Sequence, residues 1–113
     1  MRNDEERLLD ILEAIEKIER YSYFGYDSFI EDERTQIWIV HHLQVIGEAS
    51  GRLSDSLTKR YRYIPWADIV GLRNILVHQY FGIDLKQIWE TVEIDLPVLK
   101  AGIGEILQQI NEK

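Results

Sequence analysis

The side chains best suited to chemistry lie in one short stretch of the chain, from Arg73 to Tyr80. Histidine has an ordinary pKa close to neutrality, so His78 could accept or donate a proton at cellular pH. Arg73 carries a planar set of donors that matches the oxygens of a phosphate group. Asn74 could orient the imidazole or bond a substrate, and Tyr80 adds a hydroxyl group. Together these types suit acid–base chemistry on an anionic substrate.

These groups would be sufficient to cleave RNA without a metal ion. RNA carries its own nucleophile, the 2′-hydroxyl, so the reaction needs a general base at that hydroxyl and a cation at the phosphate. His78 and Arg73 are of the types that these two roles require. A histidine on a helix is more often structural than catalytic, and an Arg–His pair at this spacing often arises by chance. A purely structural role therefore stays open beside the catalytic one.

The spacing of apolar residues predicts that this stretch belongs to a helix over residues 66–80. On a regular helix, Arg73 and His78 would lie about 140° apart, whereas Asn74 and His78 would share one face. Two alternatives would bring Arg73 and His78 together. Either the long Arg73 side chain reaches round the helix, or a partner subunit completes the site.

Hydrophobic periodicity predicts helices along the rest of the chain and no strand. We predict one domain over residues 1–113, folded as an all-α antiparallel bundle of four or five helices. A loop rich in Tyr, Ser and Gly is expected at residues 21–28. The other predicted helices cover residues 4–20, residues 32–51, a short stretch capped by Ser54 that ends near Tyr61, and residues 85–110.

The last predicted helix contains a proline within an uninterrupted apolar stripe. Pro97 cannot donate a hydrogen bond to the carbonyl four residues earlier, so it bends or breaks a helix. Because the stripe keeps its phase across Pro97, we predict one kinked C-terminal helix, with two abutting helices as the alternative. The stripe consists of Leu85, Ile88, Val92, Leu96, Leu99, Ile103, Ile106 and Ile110.

Composition excludes several classes of protein. The chain has no cysteine, so neither disulfide bonds nor a thiolate metal site is expected. The first residues are charged and lack the apolar segment of a secretory signal peptide. No apolar run approaches the roughly 18 residues of a membrane span. We therefore expect a cytoplasmic protein that does not enter a membrane.

Charge is distributed unevenly along the chain. The net charge is −7, which argues against a nucleic-acid partner. Residues 52–80, however, carry five cationic and two anionic side chains, a net charge of +3, which leaves −10 on the rest. This segment is either a local anion-binding face on an acidic protein or a solvated surface that happens to be basic.

Other arrangements of reactive residues are weak. His41 and His42 are adjacent on a predicted helix, where successive residues point about 100° apart. Glu48 lies six residues beyond His42, which is also poor geometry for a pair of metal ligands on one helix. We therefore predict neither a metal site nor a cofactor. The three tryptophans are expected to anchor the core or an interface rather than to stack on bases.

The stretch and its surroundings resemble the HepT-like toxins of the HEPN superfamily. Arg73-Asn74-x3-His78-x-Tyr80 is similar to the Arg-x4-His-x-Tyr signature of those proteins, and similar blocks follow the family order over residues 4–110. These blocks are Pro65-Trp66, Ile69, Gly71-Leu72, Phe81 and Asp84 around the signature, Ile46-Gly47-Glu48-Ala49 before it, and Leu96-Pro97-x-Leu99 after it.

The resemblance implies more than periodicity can show. Similar proteins are helical bundles that dimerise, with the signature residues in a cleft at the dimer interface, and they are metal-independent ribonuclease toxins. Their partner is a small nucleotidyltransferase antitoxin of the MntA type, which inactivates the toxin by transferring AMP to the tyrosine that matches Tyr80. The resemblance thus implies catalytic roles for Arg73, Asn74 and His78, and a homodimer as the working form.

Three functions are compatible with the sequence. The first is a toxic ribonuclease, which the local positive charge and the Arg-Asn-His set favour. The second is a non-catalytic helical subunit of a nucleotidyltransferase, which the acidic composition favours. The third is a purely structural helical dimer.

Overall fold

The computed structural model describes residues 3–75 and 84–112, and within these ranges the chain forms helices and no strand. The predicted all-α fold class is confirmed. Three long helices, α1, α3 and α7, hold most of the core. In chain order the elements are α1 (Asp4–Ser22), α2 (Tyr26–Glu31), α3 (Glu33–Gly51), α4 (Asp55–Arg60), α5 (Trp66–Gly71), a 3-10 turn (Leu72–Asn74), α6 (Leu85–Glu90), a π-helical turn (Thr91–Asp95) and α7 (Leu96–Asn111).

Side-chain caps fix where several of these helices begin, because an oxygen acceptor satisfies a backbone amide that lacks a partner within the helix. Asn3 caps α1 and forms a capping box with Glu6. Asp32 caps α3, Ser54 caps α4 as the sequence predicted, and Asp84 caps α6. The start of each of these helices is therefore encoded locally.

Helix α1 lies antiparallel to α3. At one end of the pair, the backbone amide of Ser54, just beyond α3, donates to the carboxylate of Asp4 at 3.0 Å. At the other end, the indole N–H of Trp38, near the start of α3, donates to the carbonyl of Lys17 at 2.8 Å. These two contacts link the start of each helix with the end of the other.

Helix α7 packs against α1 and also runs in the opposite direction. Near the start of α7, the ammonium group of Lys100 lies 2.8 Å from a carboxylate oxygen of Glu19, near the end of α1. Near its other end, Gln109 accepts a hydrogen bond from the hydroxyl of Tyr61, beside α4.

The long helices enclose side chains that are inaccessible to water, which include Leu8, Ile11, Ile15, Ile18, Phe29, Ile39, Leu43, Ile46, Ile103 and Ile106.

The last helical segment continues across Pro97 by means of the π-helical turn. The amide of Leu96 donates to the carbonyl of Thr91, five residues earlier, in place of the usual four. A π-helical turn contains more residues than an α-helical turn. Apolar residues four apart, at Ile88, Val92 and Leu96, therefore stay on one buried face. The prediction of one helical segment across the proline is confirmed, and the π-helical turn is the irregularity that accommodates Pro97.

Two predicted bounds are wrong. Residues 21–28, predicted as a loop, contain the end of α1 and the start of α2, which begins at Tyr26 after Gly25 at a φ of 91°. The continuous helix predicted over residues 66–80 is interrupted, because the 3-10 turn closes at Asn74 and Ile75 has an extended backbone. In the part of the chain that the structure describes, no helix is long and apolar enough to cross a membrane.

Candidate functional site

The segment that carries Arg73 and Asn74 is fixed at its start by α5. Pro65 precedes α5, and the indole N–H of Trp66 donates to the carbonyl of Tyr61 at 3.1 Å. Ile69 is buried in the core, which holds α5 down at its centre. The chain then tightens into the 3-10 turn, and this turn places Arg73 and Asn74 side by side at the surface.

One face of α3 supports this turn. Gln44, Gly47 and Gly51 are three and four residues apart, so they lie on the same side of the helix; we call them the Gly47 face. Gly47 is buried under the turn. A Cβ atom at Gly47 would lie 2.5 Å from the backbone nitrogen of Arg73 and 3.1 Å from the carbonyl oxygens of Ile69 and Val70. Only a residue without a side chain permits this approach.

The same face also bonds the chain just after the 3-10 turn, where the helix predicted over residues 66–80 is interrupted. The side-chain amide of Gln44 donates a hydrogen bond to the backbone carbonyl of Ile75. In a continuing helix that carbonyl would accept from an amide four residues later. Here that carbonyl accepts a bond from a side chain of α3, which lies 31 residues earlier in the chain. The prediction that Asn74 and His78 share a helical face involves His78, which lies outside the described residues. Ile75, between the two, has an extended backbone.

Arg73 and Asn74 are both exposed, and they border different surroundings. The guanidinium of Arg73 lies over the end of α3, with one terminal nitrogen 3.3 Å from where a Cβ atom on Gly51 would be. Asn74 lines a cavity of about 670 Å³ between the α5 segment and α6, together with Asp84, Gln87 and Thr91. The turn therefore offers a cation on one side and an amide on the other.

His78 and Tyr80, which the sequence singled out as general base and modification site, lie outside the described residues. The structure accordingly gives the position of Arg73 and Asn74 only. The angle of about 140° between Arg73 and His78 assumed a regular helix. Ile75, which lies between them in sequence, departs from that geometry because its backbone is extended.

The two adjacent histidines of α3 have different environments. His42 is 7% exposed, and its ring lies 4.6 Å from the ring of Trp38 between centroids. His41 is exposed. Glu48 is paired with Arg52 at 2.9 Å. Among residues 3–75 and 84–112, no three His, Cys, Asp or Glu side chains are grouped so that they could hold a metal ion.

The three tryptophans anchor the core, as predicted. Each ring packs against core side chains while its N–H finds an acceptor. The acceptors are the carbonyls of Lys17 and Tyr61 for two of them, and a carboxylate oxygen of Glu93 at 2.7 Å for Trp89.

The Gly47 face was not predicted from the sequence to belong to the site. The available signal was the pair of glycines four residues apart in an otherwise regular apolar helix. Glycine within a helix costs about 1 kcal/mol relative to alanine, so it usually marks a close packing contact. The periodicity of α3 could not show which segment makes that contact, since the partner lies more than 20 residues further along the chain.

The class of protein follows from comparison of the sequence with known proteins. The sequence model of the family described as "Ribonuclease HepT-like" matches residues 11–106. The chain therefore belongs to the ribonuclease HepT-like family, as its resemblance predicted, and the predicted enzyme class agrees with the family's description. The match includes α3, α5 and the 3-10 turn.

Individual relatives agree with this assignment. The protein named "Probable ribonuclease HepT" of Thermococcus cleftensis is 37% identical over 100 residues, which cover 88% of this chain and 91% of that protein. A relative from Methanocaldococcus jannaschii, named for an expected RNase activity, is 39% identical over 94 residues, which cover 82% of this chain and 86% of that protein. No solved structure matches the chain.

The buried His42 makes stability depend on pH in a defined direction. Burial lowers the pKa of His42 below its ordinary value, and the nearby His41 and Lys17 lower it further. In the unfolded chain, where a histidine has a pKa of about 6.5, residue 42 therefore binds a proton at pH values at which the folded protein leaves His42 neutral. As the pH falls from about 6.5 toward the folded pKa, the free energy of unfolding should decrease.

This prediction is checked by urea unfolding of the wild type and of His42→Leu at several pH values between about 8 and 5. The wild type should lose more stability on acidification than His42→Leu does. The exposed neighbour provides a matched control, and His41→Gln should largely keep the wild-type dependence. Equal slopes for the wild type and His42→Leu would show that His42 is not a buried neutral group.

Proposed function

We propose that this protein is a metal-independent endoribonuclease that acts as the toxin of a toxin–antitoxin pair in the cytoplasm. The observation that carries the proposal is an exposed Arg73-Asn74 turn, packed against Gly47 of α3, in a chain of the ribonuclease HepT-like family. Arginine at a fixed surface position suits a phosphate, because its planar fork can donate two bonds to phosphate oxygens.

The proposed reaction uses the RNA 2′-hydroxyl as nucleophile. His78 removes the proton of this hydroxyl as its oxygen attacks the adjacent phosphorus. The bond from phosphorus to the 5′-oxygen breaks, and that oxygen leaves with a proton, which His78 of the partner subunit supplies. Arg73 stabilises the charge that builds up on the phosphate oxygens, and Asn74 orients the imidazole or the phosphate. The products are a 2′,3′-cyclic phosphate and a 5′-hydroxyl.

Removal of either principal group should nearly abolish cleavage. General acid–base catalysis contributes on the order of 10²–10⁴-fold, and a donor to developing charge about 10²–10³-fold. His78→Ala and Arg73→Ala should each lower the rate of RNA cleavage by at least about 10²-fold. Each should also relieve toxicity in cells. The measurement is cleavage of a labelled RNA by purified protein, with product ends identified by mass spectrometry.

The control is circular dichroism, which should show that both variants are folded at the assay temperature. A chelator should not change the rate. Metal-dependent cleavage, products that end in a 5′-phosphate, or full activity in a folded His78→Ala variant would each rule out this mechanism.

A non-catalytic role has one observation in its favour. The net charge of −7 is unusual for a protein that binds RNA, and it suits a helical subunit of a nucleotidyltransferase. This alternative predicts no cleavage of RNA by unmodified wild-type protein, whereas the ribonuclease predicts cleavage that depends on Arg73.

We also propose that an MntA-like nucleotidyltransferase neutralises the toxin by transferring AMP to the hydroxyl of Tyr80. The tyrosine oxygen would attack the α-phosphorus of ATP, and pyrophosphate would leave. The phosphodiester that results adds a negative charge close in sequence to Arg73 and His78. It would compete there with the phosphate of RNA for the guanidinium.

Co-expression with the partner should therefore increase the mass of the protein by one adenylyl group or more and remove RNA cleavage. Intact-protein mass spectrometry measures the gain, and Tyr80→Phe should abolish it. Tyr63→Phe is a suitable control, because Tyr63 is an exposed tyrosine whose hydroxyl bonds Glu105 at 2.9 Å, outside the signature. A mass gain that persists in Tyr80→Phe would place the modification elsewhere.

We further propose that the working form is a homodimer. Large apolar side chains are exposed on the described surface, among them Tyr23 at 85% and Phe24 at 64%, and burial of such side chains favours association. Light scattering at high protein concentration should give twice the mass of the 13.4 kDa chain. A monomer mass under these conditions would contradict the dimer and the site shared between subunits.

A further inference from the structure

We infer that Gly47 and Gln44 are positioning residues for Arg73, which they hold at the point where it meets the RNA phosphate. The inference rests on the proposed ribonuclease function. It states that α3 determines the position of Arg73 relative to the RNA phosphate. Neither residue carries a group that would react. Both act on the backbone on either side of Arg73 and Asn74.

Gly47 determines how closely the Arg73 backbone approaches α3. The three atoms nearest to a Cβ at this position all belong to the backbone, namely the nitrogen of Arg73 at 2.5 Å and the carbonyl oxygens of Ile69 and Val70 at 3.1 Å. A backbone atom cannot rotate away as a side-chain tip can. Any side chain at Gly47 would therefore push α5 and the 3-10 turn outward together, and Arg73 with them.

Gln44 holds the other side of the turn. Its amide group donates to the carbonyl of Ile75, two residues after Arg73, from one helical turn before Gly47. Gly47 therefore fixes the backbone nitrogen of Arg73, and Gln44 fixes the carbonyl of Ile75, the residue after Asn74. Two contacts from one rigid helix define both the position and the direction of the turn.

Gly51 belongs to the same face but should matter much less. A Cβ at Gly51 would lie 3.3 Å from a terminal nitrogen of Arg73 and 3.5 Å from a methyl group of Val70. Both atoms are side-chain ends that can move by a few tenths of an ångström. The geometry thus orders the two glycines: Gly47→Ala should be severe and Gly51→Ala mild.

The expected defect is in the chemical step rather than in binding. A misplacement of about 1 Å can cost on the order of 10²-fold in rate even when it originates outside the reacting groups. The guanidinium keeps its charge in these variants and still attracts RNA. The turnover number kcat should therefore fall while KM stays nearly constant, which is the pattern expected when an interaction specific to the transition state is lost.

The first test compares Gly47→Ala with Gly102→Ala. Gly102 is a close-packed helical glycine on α7, where a Cβ would lie 2.7 Å from the Cδ1 atom of Ile64, a side-chain atom. We expect kcat to fall by about 10²-fold in Gly47→Ala. Gly102→Ala should lower the melting temperature yet keep kcat within about twofold of the wild-type value. The kcat of Gly51→Ala should lie between the values for Gly47→Ala and Gly102→Ala.

The second test compares Gln44→Met with Gln36→Met and does not require a glycine variant to fold. Gln36 lies on the same helix and makes the same kind of bond, since its amide donates to the carbonyls of Phe29 and Ile30 at 2.9 and 3.1 Å. Methionine keeps the length of the side chain and removes the donor. Gln44→Met should lower kcat by about tenfold or more at constant KM, whereas Gln36→Met should lose stability only.

A readout independent of activity separates failure of this inference from failure of the proposed function. In ¹H–¹⁵N NMR spectra, Gly47→Ala or Gln44→Met should move the amide signals of Arg73, Asn74 and Ile75, and neither control variant should. If wild-type protein cleaves no RNA but these signals move as expected, the ribonuclease proposal fails and the positioning of the turn stands. Unmoved signals, or an unchanged kcat in an active enzyme that carries Gly47→Ala or Gln44→Met, would overturn the inference.

Discussion

The candidate site depends on one contact, the approach of the Arg73 backbone to Gly47 on α3. A Cβ there would lie 2.5 Å from the Arg73 nitrogen, which no ordinary side chain permits. The contact sets how closely α5 and the 3-10 turn lie against the bundle. It thereby sets how far Arg73 and Asn74 stand above the surface.

The rest of the fold keeps α3 rigid enough to serve this purpose. Helix α3 is capped by Asp32 at its start, and its core face is buried against α1. Bonds at both ends of the α1–α3 pair, from Ser54 to Asp4 and from Trp38 to Lys17, limit any sliding between the helices. A glycine inside a helix costs about 1 kcal/mol relative to alanine, and the packed core compensates for this cost.

The sequence predicted those elements whose causes are local. Apolar spacing identified the long helices, and Ser54 was identified as a cap, because side-chain periodicity and capping act within a few residues. The sequence also predicted Arg73 and Asn74 as candidate functional residues from their chemical types, and the structure places both at the surface. The extended backbone at Ile75 was not predicted. The carbonyl of Ile75 accepts a bond from Gln44, which lies 31 positions away, and local patterns carry no information about such a contact.

The same limit explains what was missed around the site and near Pro97. The stripe of apolar residues showed that the helical segment continues past Pro97. It could not show that a π-helical turn would accommodate the proline, which has no backbone N–H. Two successive four-residue steps also occur in ordinary helices. The role of the Gly47 face needs three-dimensional proximity between segments that are distant in sequence, and no periodic pattern carries that information.

The contact between Gly47 and Arg73 can be measured without substrate or partner. One α-hydrogen of Gly47 points along the direction in which a Cβ would lie 2.5 Å from the Arg73 nitrogen. The folded wild-type protein should therefore give a strong nuclear Overhauser effect between that hydrogen and the amide hydrogen of Arg73. A complete absence of this cross-peak in a fully assigned spectrum would contradict the seating of Arg73 on α3.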